Sequence, residues 1–416
     1  MTSRQSLKDT LEHRTPDHLV VDIGSTPVSG AHVLVVEKLR QHYGLEKRPV
    51  KAFEPYQMLG LIEEDLLDAI GVDVIGVHAR NTMFGFPNKK WKEFRMPWGQ
   101  VVMVSDGFNT KTDSNGDLLV YPEGDTSVKP SGRMPTSGYF FDSIVRQEHF
   151  DENKLNAEDN MEEFKHLSED DLDYYDVEIK RVKECGRGVM ANFGGTGLGD
   201  IALVTAPFLK DPKGIRDITE WYISTAIRQD YIHEIFSYQY NIALENFKTI
   251  YSKIGNSIDV VYICGTDLGT QSSSFCSVET FNSLYAPYYK KLNDWIHTNT
   301  KWKTFKHCCG SIKKFIPSFI ECGFDILNPV QYSADDMDVQ ELKSEFGDDI
   351  VFWGGGIDTQ KVLPFGTVDE VKTETIKQID ILSKNGGFVF NTVHNIQANT
   401  PIENVIAMFE VLQEHR

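Results

Sequence analysis

The run Lys306-His307-Cys308-Cys309-Gly310 carries two side chains able to grip a metal ion. It closes an apolar segment that begins near Trp302. In an extended strand residues two apart share a face, so His307 and Cys309 project together while Cys308 points the other way. Imidazole nitrogen and thiolate sulfur suit borderline-soft Zn²⁺, and a catalytic zinc takes three protein ligands with one position left open. His394 is the natural third ligand; it can equally be a histidine that hydrogen-bonds substrate or orients a ligand. Taken alone, a His-x-Cys tripeptide is also compatible with a buried thiol beside a hydrogen-bonded imidazole.

Other polar clusters follow apolar runs in the same way. Asp267 lies in Cys264-Gly265-Thr266-Asp267-Leu268-Gly269-Thr270-Gln271, Gln331 in Asn328-Pro329-Val330-Gln331, and Asp358 after Gly354-Gly355-Gly356-Ile357. Asp267, Gln331 and Asp358 are the candidates for orienting a substrate, and each is otherwise a strand-end cap. The three glycines lack a following Lys-Ser/Thr, so they make no phosphate loop; close backbone approach to a large ligand explains them as well.

These clusters need elements to bring them together. Eight strand-like apolar runs recur, at 18–24, 73–79, 188–194, 258–265, 302–310, 324–331, 349–358 and 387–395. Helical patterns at 278–298, 312–322, 337–346 and 368–383 separate the last five. Eight right-handed βα units close into a barrel whose site lies at the strand C-termini. The fold class expected is α/β, a (β/α)8 TIM barrel with an N-terminal extension, as one domain over 1–416. Residues 80–187 read as an insertion: a β-hairpin or meander over 94–122, split by Asn-Gly and Asp-Gly turn signals, and an acidic helical cover over 151–176. That cover reads as a solvated face or as a dock for a basic partner. Thr400-Pro401-Ile402-Glu403 has the form of a capping box, which starts a helix and keeps His394 near the mouth.

The chain has 416 residues, 25% charged and 40% hydrophobic, enough for a large core. Against 61 Asp and Glu stand 42 Lys and Arg, a net charge of −19 that disfavours nucleic acid or an anionic membrane as partner. The six cysteines sit in apolar, strand-like contexts and read as reduced thiols. The N-terminus has no apolar leader and no 18-residue apolar run occurs, so a cytoplasmic protein is expected.

At these residues the sequence resembles the uroporphyrinogen decarboxylase superfamily, and within it the cobalamin-dependent methyltransferase branch. The resemblance runs from Thr15-Pro16-Asp17-His18 through His307-x-Cys309-Gly310, Asn328-Pro329-x-Gln331, Phe352-Trp353-Gly354-Gly355-Gly356-Ile357-Asp358 and His394-Asn395-Ile396-Gln397 to Thr400-Pro401-x-Glu403-Asn404. True decarboxylases carry an arginine-containing segment after the first strand to hold the carboxylates of the porphyrinogen. Residues 22–30 contain no arginine here, which favours the methyltransferase branch, whose zinc site uses a His-x-Cys pair. Better-known members of that branch add a cysteine where this chain has His394. A His₂Cys set would be less negative, making zinc a stronger Lewis acid and a bound thiolate less nucleophilic.

The resemblance implies a zinc-dependent methyltransferase that moves a methyl group between a small molecule and a corrinoid. His307, Cys309 and His394 would hold the metal, and Asp267, Gln331 and Asp358 would orient the substrate. No DxHxxG cobalamin motif is present, so the cobalamin is expected on a partner protein; barrels of this kind often pair as homodimers. The alternatives are a tetrapyrrole decarboxylase that needs no metal and a non-catalytic barrel that binds a corrinoid or methylated ligand.

Overall fold

The computed structural model describes residues 2–162, 164–194 and 197–415. Eight parallel strands form the centre: β1 (Val20–Val21), β2 (Val74–Val77), β3 (Gly188–Ala191), β4 (Val260–Cys264), β5 (Lys303–His307), β6 (Ile326–Asn328), β7 (Val351–Trp353) and β8 (Phe388–Phe390). They follow the order β1-β8-β7-β6-β5-β4-β3-β2. The seam between β1 and β2 is bridged by Asp73, whose N–H donates to the Val21 carbonyl at 2.8 Å and whose carboxylate accepts the Val21 N–H at 2.9 Å. The result is a nearly closed (β/α)8 barrel, and each of the eight apolar runs contains one of its strands.

Inward side chains alternate along the strands as the pleat requires. Val20, Val74, Met190, Val260, Phe305, Ile326, Val351, Trp353 and Val389 fill the interior. Helix α1 (Ser3–Leu11) seats Leu7 and Leu11 against them, so the N-terminal extension plugs the barrel. A Cβ on Gly188 would lie 2.1 Å from Leu7 Cδ2, which is why β3 starts with glycine there.

Helices appear where the 3.6-residue pattern and capping chemistry coincide. Val278–Leu284 is capped by Ser277 Oγ accepting the Thr280 N–H at 3.1 Å, and Val339–Phe346 by Asp338 accepting the Glu341 N–H at 2.9 Å. Val368–Leu382 opens with a reciprocal Thr367/Glu370 capping box. The helix after His394 differs from the expected capping box. It runs Ile402–Glu414 with Pro401 at the N-cap, a residue with no side-chain acceptor, so the helix has no side-chain cap, and the Thr400 N–H turns back to the Gln397 carbonyl.

Residues 92–143 are β-rich. Thr110–Thr112, Leu118–Val120, Gly132–Met134 and Asp142–Ser143 form an antiparallel meander whose first turn carries Gly116 at φ +86°. Lys92–Arg95 and Val101–Val104 join Val50–Glu54 and Leu59–Gly60 in a second four-stranded sheet. Sequence-distant strands thus share one sheet, a pairing that no local pattern announces. In the acidic stretch the α-helix begins only at Glu169, where Ser168 and Asp171 cap each other; upstream, Glu152–Lys154 and Ala157–Asn160 form single 3-10 turns. Its acids are largely paired, Asp170 and Asp171 with Arg80 and Asp173 with Lys253. No helix among the described residues is long and apolar enough to cross a membrane.

Candidate metal centre at the barrel mouth

β5 ends at His307, and the chain turns sharply at Gly310, φ +92°. Although Cys309 lies past the strand, it remains on the side of His307: their Sγ and Nε2 are 3.3 Å apart. Cys308 faces away and its Sγ accepts the Leu268 N–H. His394, from the loop after β8, closes the group, and the ligand atoms of His307, Cys309 and His394 all lie within 4.8 Å of one another. Two bonds of about 2.0 and 2.3 Å at a tetrahedral angle set an N···S separation of roughly 3.5 Å, close to that of the His307–Cys309 pair.

Two further observations fit a cation. Asn328, at the end of β6, donates through Nδ2 to the Trp353 carbonyl at 2.6 Å, so its Oδ1 must accept from His307 Nδ1–H, also at 2.6 Å. That leaves His307 Nε2 free to ligate, the arrangement metal-binding histidines commonly show. Burial, then the His307 imidazole beside it, push His394 down to about 4, so at neutral pH it holds the uncharged form a metal takes. Burial and the neighbouring Asp267 carboxylate push the Cys309 thiol well up; a divalent cation would reverse that by stabilising the thiolate. Asn328→Ala is expected to leave the barrel folded but weaken zinc binding about 10–100-fold in a chelator competition.

The structure brings some of the proposed substrate-orienting residues to this centre and not others. Asp267 Oδ1 accepts the Cys309 N–H at 2.6 Å and stands 3.8 Å from His307 Nε2; it backs the cluster. Gln331 Oε1 accepts the Gly310 N–H at 2.8 Å and forms part of the wall of a cavity of about 460 Å³ beside Cys309 and His394. Asp358 is buried elsewhere, both its oxygens accepting backbone N–H groups in the turn after β7, from Gln360 at 3.1 Å and Lys361 at 3.0 Å. Sequence alone left Asn328, Asp200 and Lys306 without roles. Asp200 accepts the Gly265 N–H at 2.9 Å and holds the loop after β4. Lys306 is wholly buried and donates to the Thr266 and His307 carbonyls at 3.0 and 3.1 Å, tying β5 to the same loop. The Asn-Pro-x-Gln run pointed to the strand end at Asn328; nothing local marked Asp200 or Lys306, which depend on strands brought side by side.

Beneath the mouth, Asp22 accepts Trp353 Nε1–H at 2.9 Å and Ser25 Oγ–H at 2.8 Å. Burial pushes its carboxyl up to about 6. The folded protein therefore holds this proton more tightly than the unfolded chain, and the carboxyl's stabilising contribution, full below about pH 4, is lost as pH rises through 6. Asp22→Asn keeps the oxygen that accepts from Trp353 Nε1–H and Ser25 Oγ–H, gives up the bond from the Ser25 N–H to the second oxygen, and removes the buried charge. Its melting temperature relative to wild type is expected to climb between pH 4.5 and 7.5, by the equivalent of about 3 kcal/mol at most.

Residues 256–415 match the family model described as uroporphyrinogen decarboxylase (URO-D). Among solved structures, the chain is similar to a methyltransferase from Methanosarcina mazei over 100% of this chain and 99% of that one, at 13% identity and a TM-score of 0.55, a likeness of fold. A Prevotella bryantii endo-beta-mannanase/endo-beta-glucanase overlaps 63% of this chain and 40% of its own, at 10% identity and a TM-score of 0.35. No curated protein matches the sequence.

Proposed function

We propose, from the match of residues 256–415 to the uroporphyrinogen decarboxylase family model, that the protein is a zinc-dependent methyltransferase moving a methyl group between a small molecule and a corrinoid carried on a partner protein. The observation that carries this reading is the cluster of His307, Cys309 and His394 at the strand C-termini of the barrel, where barrel enzymes hold their reacting groups. Zinc bound there would supply Lewis acidity to a substrate heteroatom in its open position.

The chain's own residues do the rest. Asn328 holds the His307 ring with Nε2 presented. Asp267 anchors the backbone of Cys309 and places negative charge behind the cluster. Gln331 fixes the Gly310 turn through Oε1, leaving its amide N–H groups to meet a substrate at the cavity wall. The likeness to a methyltransferase along the whole chain supports the fold this reading needs.

A tetrapyrrole decarboxylase is disfavoured by residues 22–30, which offer no arginine to pair with propionate or acetate side chains. The deciding experiment combines zinc analysis of the purified chain with demethylation of methylcobalamin, free or protein-bound, against a panel of acceptors. About one zinc per chain and acceptor-dependent demethylation support the proposal. A metal-free protein of normal activity, or turnover of uroporphyrinogen, overturns it; binding of methylated corrinoid without turnover assigns the barrel to ligand binding.

A further inference from the structure

We propose that the cavity beside the metal cluster selects uncharged, oxygen-rich molecules, so that the substrate is a neutral alcohol or ether rather than a carboxylate, a sulfonate or an ammonium ion. The inference rests on the methyl-transfer reading for the atom that reacts, and goes beyond it in specifying what surrounds that atom.

The cavity of about 460 Å³ has no Asp, Glu, Lys or Arg among its described wall residues. In a chain that is 25% charged with a net charge of −19, the described wall of a cavity where loops after β4, β5, β6, β7 and β8 converge carries no such side chain. Apart from the metal-site pair Cys309 and His394 and the hydroxyls of Thr270 and Thr359, its polar side chains are amides: Gln271, Gln331, Gln360, Asn395 and Gln397. An amide offers both donors and an acceptor, the complement of a hydroxyl or ether oxygen.

The amides are held in place. Gln271 Nε2 donates to Gln360 Oε1 at 3.1 Å across the β4 and β7 loops. Asn395 Nδ2 donates to Gln57 Oε1 at 2.7 Å, from the turn of the second sheet. Phe275 adds an apolar face to the wall, backed by Tyr222 at a ring separation of 4.2 Å and an angle of 11°.

The carboxylates nearby lie off the cavity wall. Asp267 stands behind the cluster, bonded to the Cys309 N–H and 3.8 Å from His307 Nε2, and Asp358 takes two N–H groups of its own turn; neither carboxylate is part of the cavity wall where an ammonium ion would sit. A metal ion at the cluster would face the reacting heteroatom, which leaves a carboxylate or sulfonate elsewhere on the molecule without a counter-charge. An ion that leaves water without a partner binds far less well than a neutral group whose hydrogen bonds are replaced.

Three probes of one frame test this on the full, metal-loaded chain: methyl glucoside, methyl glucuronide, and methyl 6-amino-6-deoxyglucoside, titrated by ligand-observed NMR. The neutral glucoside is expected to bind at least tenfold more tightly than either ion. Equal or tighter binding of the glucuronide or of the amine, or no difference among the three including no binding by any, overturns the inference. A protein that keeps the charge order but carries no zinc and moves no methyl group would overturn the methyl-transfer reading alone.

Discussion

His307→Ala is expected to strip the protein of zinc and with it of methyl transfer, while the barrel stays folded. Changes to groups that merely orient a metal ligand cost roughly 10–100-fold in affinity; removing one of three ligands must cost more, because the ligating nitrogen itself is lost. Cys309→Ala is expected to have the same effect. Cys308→Ala is the internal control: its thiol faces Leu268 and the helix layer, so it should keep zinc and activity and lose only packing. Zinc content by elemental analysis, with circular dichroism for the fold, checks all three. If the Cys308 variant lost zinc and the Cys309 variant kept it, the assignment of the pair would be wrong.

The second large effect is expected at Gly310→Ala. A Cβ there would lie 2.4 Å from the Gly269 carbonyl carbon and 2.7 Å from the Thr270 carbonyl oxygen, and the residue sits at φ +92°. These contacts are with backbone, which cannot rotate aside as a side chain can. Left-handed strain and overpacking together cost about 2–4 kcal/mol. Relief of the clash must move the β4 and β5 loops apart, so Cys309 and its bond to Asp267 shift and zinc affinity falls along with the melting temperature. Gly44→Ala is the comparison, since Gly44 is also left-handed, φ +66°, but has open space around its Cβ. It is expected to cost only about 1 kcal/mol and to leave zinc binding untouched. Differential scanning calorimetry with a chelator titration separates the two variants.

Much of this architecture is local and therefore legible in order along the chain. Strand runs end in Gly, Asn, Pro or Asp, helices start where Ser277, Asp338 and Thr367 can cap them, and the alternation of the two counts to eight. The spacing of His307 and Cys309 is local too, so their shared face follows from pleat geometry even though the strand stops at His307. The sheet that joins Val50–Glu54 to Val101–Val104 is of another kind, because its partners lie some fifty residues apart and neither strand specifies the other.

The centre divides along the same line. Residue types and two-residue periodicity are enough for a barrel, for a zinc-compatible pair at one strand end, and for a histidine at another. Only the assembled barrel brings Asn328 to His307, Lys306 to the β4 loop, and Asp267 behind Cys309. Asp358, equivalent to Asp267 as a strand-end acid in the primary structure, is spent on its own turn. A side chain's chemistry travels with its residue type, but its partners are set by which strands lie side by side, and that neighbourhood is a property of the sheet as a whole.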